Sequence, residues 1–254
     1  MKVKIISLFT VFFLCLFQAN AQGGGDIFLG ISGGTFLSSL KNKGFFISEN
    51  KSNVGLSIGA DFENYISSGL SWGVKFNYYN SAGGQLNYSN INNITLLNDD
   101  IPFEFRTSSG DTDIRYFIDY LEFIGSIKLN IVRYSNMLFF IEPHIGIMHP
   151  INAEGSINGG NKIDVIPSIG FDIFHGGFAL GTSFPLGKTN IFSSPKTFFI
   201  CSLQYRFTFN SNILYGRNIV IDTAFDNSNT SMNMFGVFVG VKRNIGNINI
   251  LKGG

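Results

Sequence analysis

The chain is short of charge. Of its 254 residues only 14% are Asp, Glu, Lys or Arg, against about 25% in an ordinary soluble domain, which argues against a well-solvated cytoplasmic enzyme. Neither sign dominates, with 18 basic residues facing 17 acidic ones. No basic excess is available to displace counterions from a phosphate backbone, so nucleic acid is excluded as a partner. Cysteine is nearly missing. Cys15 and Cys201 are the only two, and once the first is removed with the leader described below, no disulfide framework can hold the fold. Long apolar runs are missing too, since beyond the leader none reaches the ~18 residues that a membrane helix needs. Zinc-ligand spacings, Gly-rich phosphate loops and calcium-loop patterns do not occur. No catalytic, cofactor-binding or metal-binding residue is therefore assigned.

Aromatic and glycine residues are abundant instead, with 28 Phe and 30 Gly in a chain that is 44% hydrophobic. Such a composition is incompatible with disorder. Lys2 and Lys4 precede an apolar stretch from Ile5 to Phe17, and Ala19-Asn20-Ala21 follows as a small-x-small cleavage site. Residues 1–21 are thus expected to be a signal peptide, leaving 22–254 as a single exported domain. Cys15 lies inside the apolar stretch and is followed by Leu16, which does not suit a lipid-anchored N-terminus. Losing Lys2 and Lys4 leaves 16 basic against 17 acidic residues, a net charge of −1.

The dominant period in the exported part is two. Val54, Leu56, Ile58, Ala60 and Phe62 alternate with Gly55, Ser57, Gly59, Asp61 and Glu63. After Ser67-Ser68-Gly69, a hairpin turn, Leu70, Trp72, Val74, Phe76 and Tyr78 alternate with Ser71, Gly73, Lys75 and Asn77. The same rhythm runs through Leu121 to Ile131, Phe139 to Ile147, Phe199 to Phe209 and Phe235 to Val241. A soluble sandwich alternates as well, but its polar face carries many Lys and Glu. Here that face is Gly, Ser and Asn with single charges, as a narrow lumen demands. The pattern predicts an all-β, antiparallel, up-and-down transmembrane barrel in contact with outer-membrane lipid. Trp72, Tyr78 and Tyr205 stand near strand ends as interface aromatics.

Ten strands are expected, at about 26–37, 53–66, 70–82, 113–131, 137–148, 162–174, 177–186, 197–209, 213–224 and 232–245. Long connections would alternate with short ones near Ser68, Ser135, Gly176 and Ser211. Eight strands followed by a C-terminal tail is the alternative. Either even number puts both termini on the periplasmic side of the outer membrane of a Gram-negative cell.

With these residues laid out, the chain resembles the PorT-like outer-membrane β-barrel proteins of the Bacteroidota over about residues 28–207. Phe28-Leu29-Gly30-Ile31-Ser32-Gly33-Gly34 resembles that family's first strand. Tyr120-Leu121-Glu122-Phe123-Ile124 with Lys128 resembles its fourth, Phe140-Ile141-Glu142-Pro143-His144-Ile145-Gly146 its fifth, and Tyr205-Arg206-Phe207 its closing aromatic signature. The family segment has proline where Ile124-Gly125 stands, and 47 residues follow Phe207, where such barrels stop. The resemblance implies an eight-stranded barrel and, for some relatives, service to a protein-secretion or gliding machine.

By parity the lumen should hold Asp61, Glu63, Glu122, Glu142 and Asp172 against Lys75, Lys128, Arg206 and Lys242, with His144 among them. Asp61 falls opposite Lys75, and Glu142 lies diagonally from Lys128. Balanced charge suits a packed interior better than a selective pore. The expected function is a non-catalytic outer-membrane barrel, an envelope or secretion-accessory component working through extracellular loops and partner proteins. A small channel is the alternative, and a rim hydrolase using His149, or His144 with Glu142, is a further one.

Overall fold

The computed structural model describes residues 25–42, 47–67, 69–88, 94–96, 107–108, 112–134, 137–166, 169, 172–186, 197–209, 213, 219–221, 224–225 and 230–247. The expected signal peptide, 1–21, lies outside them. Thirteen strands occur in this part: β1 (Asp26–Asn42), β2 (Ile47–Ser67), β3 (Leu70–Tyr88), β4 (Ile94–Leu96), β5 (Thr107–Ser108), β6 (Thr112–Tyr134), β7 (Met137–Ile157), β8 (Ile163–Asp164), β9 (Ile173–Pro185), β10 (Thr197–Thr208), β11 (Ile219–Ile221), β12 (Ala224–Phe225) and β13 (Thr230–Asn247).

Eight of them make a closed ring. β1, β2, β3, β6, β7, β9, β10 and β13 pair antiparallel in that order, and β13 returns to β1 from Asp26↔Asn247 to Asn42↔Thr230. The expected class is therefore the observed one: an all-β antiparallel up-and-down barrel. Among the described residues the ring contains eight strands, the smaller of the two numbers left open by the periodicity. The C-terminal segment is its closing strand and not a tail. Segment 162–174 contributes the two-residue β8, beside β7, and the start of β9. Segment 213–224 contributes β11, which pairs with β4 and β12 in a small second sheet of order β12-β11-β4-β5.

The register also settles which connections share an end. The links at 68–69, 135–136 and 186–196 join strands at the end that carries Asp26 and Asn247, the terminal end. Links 43–46, 89–111, 158–172 and 209–229 lie at the opposite, loop end. Gly176, expected in a turn, is instead an interior residue of β9, paired with Ile145 and Phe207. With no turn at Gly176, the link 186–196, which a ten-strand order would put at the loop end, lies at the terminal end.

Polarity reverses partway up the wall. On the terminal side of this boundary β6 points Leu121, Phe123, Leu129 and Ile131 outwards while Glu122, Ser126 and Lys128 are buried inside. Nearer the loop end the same strand buries Ile114, Tyr116, Ile118 and Tyr120 inside, and its outward positions include Asp113, Arg115 and Asp119. Parity is unbroken, so the chemistry of each face has swapped. Exposed Leu29, Ile31, Ile58, Phe76, Ile145, Leu180, Leu203, Val237 and Val239 continue the outward belt around the barrel. At about 3.3 Å per residue and a strand tilt of about 40°, the stretch from Leu121 to Ile131 is on the order of 25 Å tall, the height of a bilayer's hydrocarbon layer. Towards the loop end the interior becomes an apolar core of Phe36, Leu40, Tyr79, Leu86, Met148, Met232 and Met234, joined by Val165, Ile169 and Ile213 from outside the ring strands.

A charge placed on the belt tests this division. Val239→Lys should cost about 2–4 kcal/mol of stability in lipid vesicles, whereas Asn152→Lys, exposed beyond the belt, should change it by no more than about 0.5 kcal/mol. Both are read from urea unfolding, and equal effects would contradict a bilayer-embedded belt.

Candidate functional site in the barrel interior

The lower lumen is a charge network assembled from seven strands. Lys242 Nζ on β13 lies 2.7 Å from Asp61 Oδ2 and 2.7 Å from Glu63 Oε2 on β2. Glu63 also meets Lys128 of β6 at 3.1 Å and accepts a hydrogen bond from the Ser71 hydroxyl on β3. Lys75 of β3 reaches Glu142 of β7 at 2.5 Å. Above them Glu122 of β6 meets Arg206 of β10 at 2.9 Å and His175 of β9 at 3.0 Å, and accepts a bond from the Asn77 amide at 2.7 Å. Arg206 donates to Gln204, which donates to Ser202.

These partners differ from the expected ones for a definite reason. Asp61 does stand opposite Lys75 in the ladder, yet it pairs with Lys242, and Glu142 takes Lys75 in place of Lys128. In an eight-stranded barrel the interior is narrow enough for side chains to reach over a strand. Gly30 of β1 stands in register between Asp61 and Lys242. A Cβ there would come within 2.6 Å of Asp61 Oδ1 and 2.7 Å of Lys242 Cγ, so the missing side chain is what lets the two charges meet. Gly146 on β7 does the same between β6 and β9, where a Cβ would lie 2.6 Å from His175 Nε2. Inward glycines therefore let the network cross β1 and β7.

Four carboxylates (Asp61, Glu63, Glu122, Glu142) thus face four cations (Lys75, Lys128, Arg206, Lys242) inside the barrel. The Arg206 guanidinium also lies over the rings of Tyr79 and Phe238, 5.2 and 5.4 Å from their centroids. It divides the polar lower lumen from the apolar upper core. His144 is buried, with Nδ1 3.4 Å from the Glu142 carbonyl oxygen and its ring 6.1 Å from that of His175. A cavity of about 30 Å³ lined by Ser32, Asp61, Lys75, Glu142, Gln204 and Lys242 is left, room for about one water. Among the described residues no group of three or more His, Cys, Asp or Glu is placed to hold a metal ion.

Other expected residues fall elsewhere. Asp172 is outside the lumen, exposed near the loop end, where His149 Nδ1 lies 3.1 Å from its Oδ1. Trp72 is near a turn as expected, but its ring is buried, 5.6 Å from that of Phe62. Tyr78 marks the top of the belt, its hydroxyl donating to Asp119 Oδ2. Tyr205 points outwards on β10, 5.9 Å from the Phe178 ring. His175 was not anticipated. Its signal was parity with Gly177 and Ala179, hidden by the reading of Gly176 as a turn.

The closed ring, the bilayer-height belt and the charge-filled lumen define a transmembrane β-barrel of the up-and-down antiparallel class. No protein-family model matches the chain, and no curated protein does. Among solved structures it is similar to Neisserial surface protein A, at 12% identity over 85% of this chain and 97% of that one, with a TM-score of 0.40. It is similar also to the outer membrane protein OprG from Pseudomonas aeruginosa (10% identity, 87% and 97% covered, TM-score 0.41) and to Ail of Yersinia pestis (12%, 85% and 98%, 0.36). The class assignment rests on the chain's own geometry.

Double-mutant cycles distinguish register from contact. Lys242→Met alone should cost about 3–5 kcal/mol, because it strands two buried carboxylates. Combined with Asp61→Asn it should show a coupling of at least about 1 kcal/mol. The coupling of Asp61→Asn with Lys75→Met should be the smaller of the two, as measured by unfolding in detergent or vesicles.

Proposed function

We propose that the protein is a non-catalytic barrel of the Gram-negative outer membrane, delivered by its cleaved leader, with termini and short turns in the periplasm and the loop end at the cell surface. It acts as an envelope component through the surfaces of that end. The observation that carries this reading is the closed interior. Four buried acids are neutralised by four inward bases, three of them buried, Arg206 is stacked across the lumen, and an apolar core fills the space above. A selective pore needs an open path with an excess of one sign, and a hydrolase needs a base beside a nucleophile within reach of substrate. The surfaces this reading assigns to partners are the connections at the loop end, above all 89–111 and 209–229, whose described parts pair with one another through β4 and β11. The resemblance to PorT-like barrels supports a secretion-accessory role among envelope roles, with envelope or secretion-machine proteins as partners.

The test has two arms. Purified protein in planar bilayers should give no conductance steps, and reproducible steps would replace this reading with a channel. In intact cells, crosslinking should capture envelope proteins, and shortening 89–111 should remove those crosslinks while the barrel still migrates faster unheated than boiled in detergent gels. Crosslinks that survive the shortening would place the working surface elsewhere.

A further inference from the structure

Part of the wall stands well clear of the belt. Beyond Tyr78, Leu121 and Ile147, β3 runs on to Tyr88, β6 back to Thr112 and β7 on to Ile157. The outward positions of this upper wall are mostly polar, with Gln85 on β3, Asp113, Arg115 and Asp119 beside Phe117 on β6, and Asn152 and Glu154 on β7.

One of these positions is held from behind. The β2–β3 ladder is interrupted between Ser52↔Gly84 and Leu56↔Asn80, and Asn53 of β2, only 1% exposed, lies in the interruption. Its Nδ2 donates to the Tyr116 carbonyl of β6 at 2.6 Å, and its Oδ1 accepts from Arg115 Nε at 2.9 Å. Between β2 and β6 stands Gly83 of β3, whose φ of +114° suits glycine. A Cβ there would come within 2.5 Å of the same Tyr116 oxygen, so the missing side chain clears the way for the Asn53 amide. The Arg115 guanidinium also lies over the Phe117 ring, 5.0 Å from its centroid. A buried amide and a ring therefore hold an exposed guanidinium in place, which lowers the rotamer entropy it loses on binding.

Arg115 shares its row with a second cation. Lys51 of β2 is opposed to Gln85 of β3, and Gln85 to Arg115. Opposed residues share a face of the sheet, and Lys51 and Arg115 are both exposed. Two strand spacings, about 10 Å, separate their backbones, a gap that two long side chains close over Gln85. The acids nearer the membrane are engaged. Asp119 accepts from the Ser81 N–H at 2.8 Å, the Tyr78 hydroxyl at 3.1 Å and the Asn80 amide at 3.3 Å, and Glu154 meets Lys162 at 2.7 Å. Asp113 is one outward step beyond the row.

Chemistry and height together select the ligand. A planar guanidinium takes a phosphate bidentately, and an ammonium beside it adds a point charge. From Leu121 to Arg115 the strand climbs on the order of 15 Å, at about 3.3 Å per residue and a tilt of about 40°. The headgroup layer of a phospholipid reaches only about 5–8 Å past the hydrocarbon. We propose that Arg115 and Lys51, with the Gln85 amide between them, bind a phosphate carried on the saccharide headgroup of an outer-leaflet glycolipid. This rests on the membrane orientation proposed above, which puts the upper wall at the cell surface.

The mature protein in non-ionic detergent is titrated with three lipids, and bound lipid is counted by native mass spectrometry. The lipids are rough lipopolysaccharide phosphorylated on its inner-core sugars, the same lipid after enzymatic removal of phosphate, and phosphatidylglycerol. The phosphorylated glycolipid should bind at least about tenfold more tightly than the other two. Arg115→Gln and Lys51→Gln should each weaken it at least about threefold, and Arg115→Lys should weaken it as Arg115→Gln does, because Asn53 holds a guanidinium Nε. Arg243→Gln removes an exposed cation at the terminal end and should leave binding within about twofold. Faster migration of the unheated sample shows that each variant is folded. Equal binding of the three lipids, or a loss from Arg243→Gln as large as that from Arg115→Gln, would overturn the site. Orientation is read separately: in a Cys201→Ser background, Asn152→Cys should react with an impermeant maleimide on intact cells. Reaction only after permeabilisation would overturn the membrane orientation, whatever the purified protein binds.

Discussion

In hydrocarbon an unpaired peptide N–H or C=O costs several kcal/mol, because no water is present to take the place of the missing partner. A sheet in that medium has to end on itself, and here it does so through the seventeen-odd pairs between β1 and β13. The rest of the architecture follows. Closure with eight strands fixes a narrow interior, alternation then sends every second side chain into it, and the remaining side chains meet lipid. Residues that are far apart in the chain become neighbours inside the ring, and charge has to balance locally because little solvent is there to screen it.

That narrowness explains why the interior is partitioned. Within the belt the outward face is apolar and the inward face polar. Past Tyr120 and Tyr79 the wall stands clear of the belt, its outward positions turn polar, and the interior becomes an ordinary hydrophobic core. Arg206 serves both halves, ion-paired to Glu122 below and stacked on Tyr79 and Phe238 above. The barrel is in effect a membrane protein and a soluble β-barrel sharing one continuous set of strands.

Much of this is legible in the sequence. Period-two alternation locates β2, β3, β6, β7, β10 and β13 and assigns their faces, and the Ser67-Ser68-Gly69 turn predicts the Asp61↔Lys75 register. Two kinds of feature escape it. The first is local: Gly176-Gly177 reads as a turn by composition, but tertiary packing needs the glycines within β9, where a Cβ at 176 would lie 2.6 Å from the Phe209 ring and one at 177 would lie 2.6 Å from His144 Nε2. The second is global. Asp61 with Lys242 and Glu122 with His175 pair across an intervening strand, and no rule of adjacent-strand partners predicts them before the ring is closed.

The strand that closes the ring is the last of the described strands to be synthesised. Asp26 and Asn247 are register partners about 220 residues apart, so the pairing that removes both open edges is the most non-local contact of the fold. The entropy of closing so long a loop grows only logarithmically, but the pairing is slow. Until it forms, β1 and β10 each present an unsatisfied edge that invites association with other chains. A growing chain has no partial barrel in which to wait, and one broken off before Thr230 has no finished form at all. The closing strand therefore acts as a checkpoint: only a chain made as far as Asn247 can hide its edges.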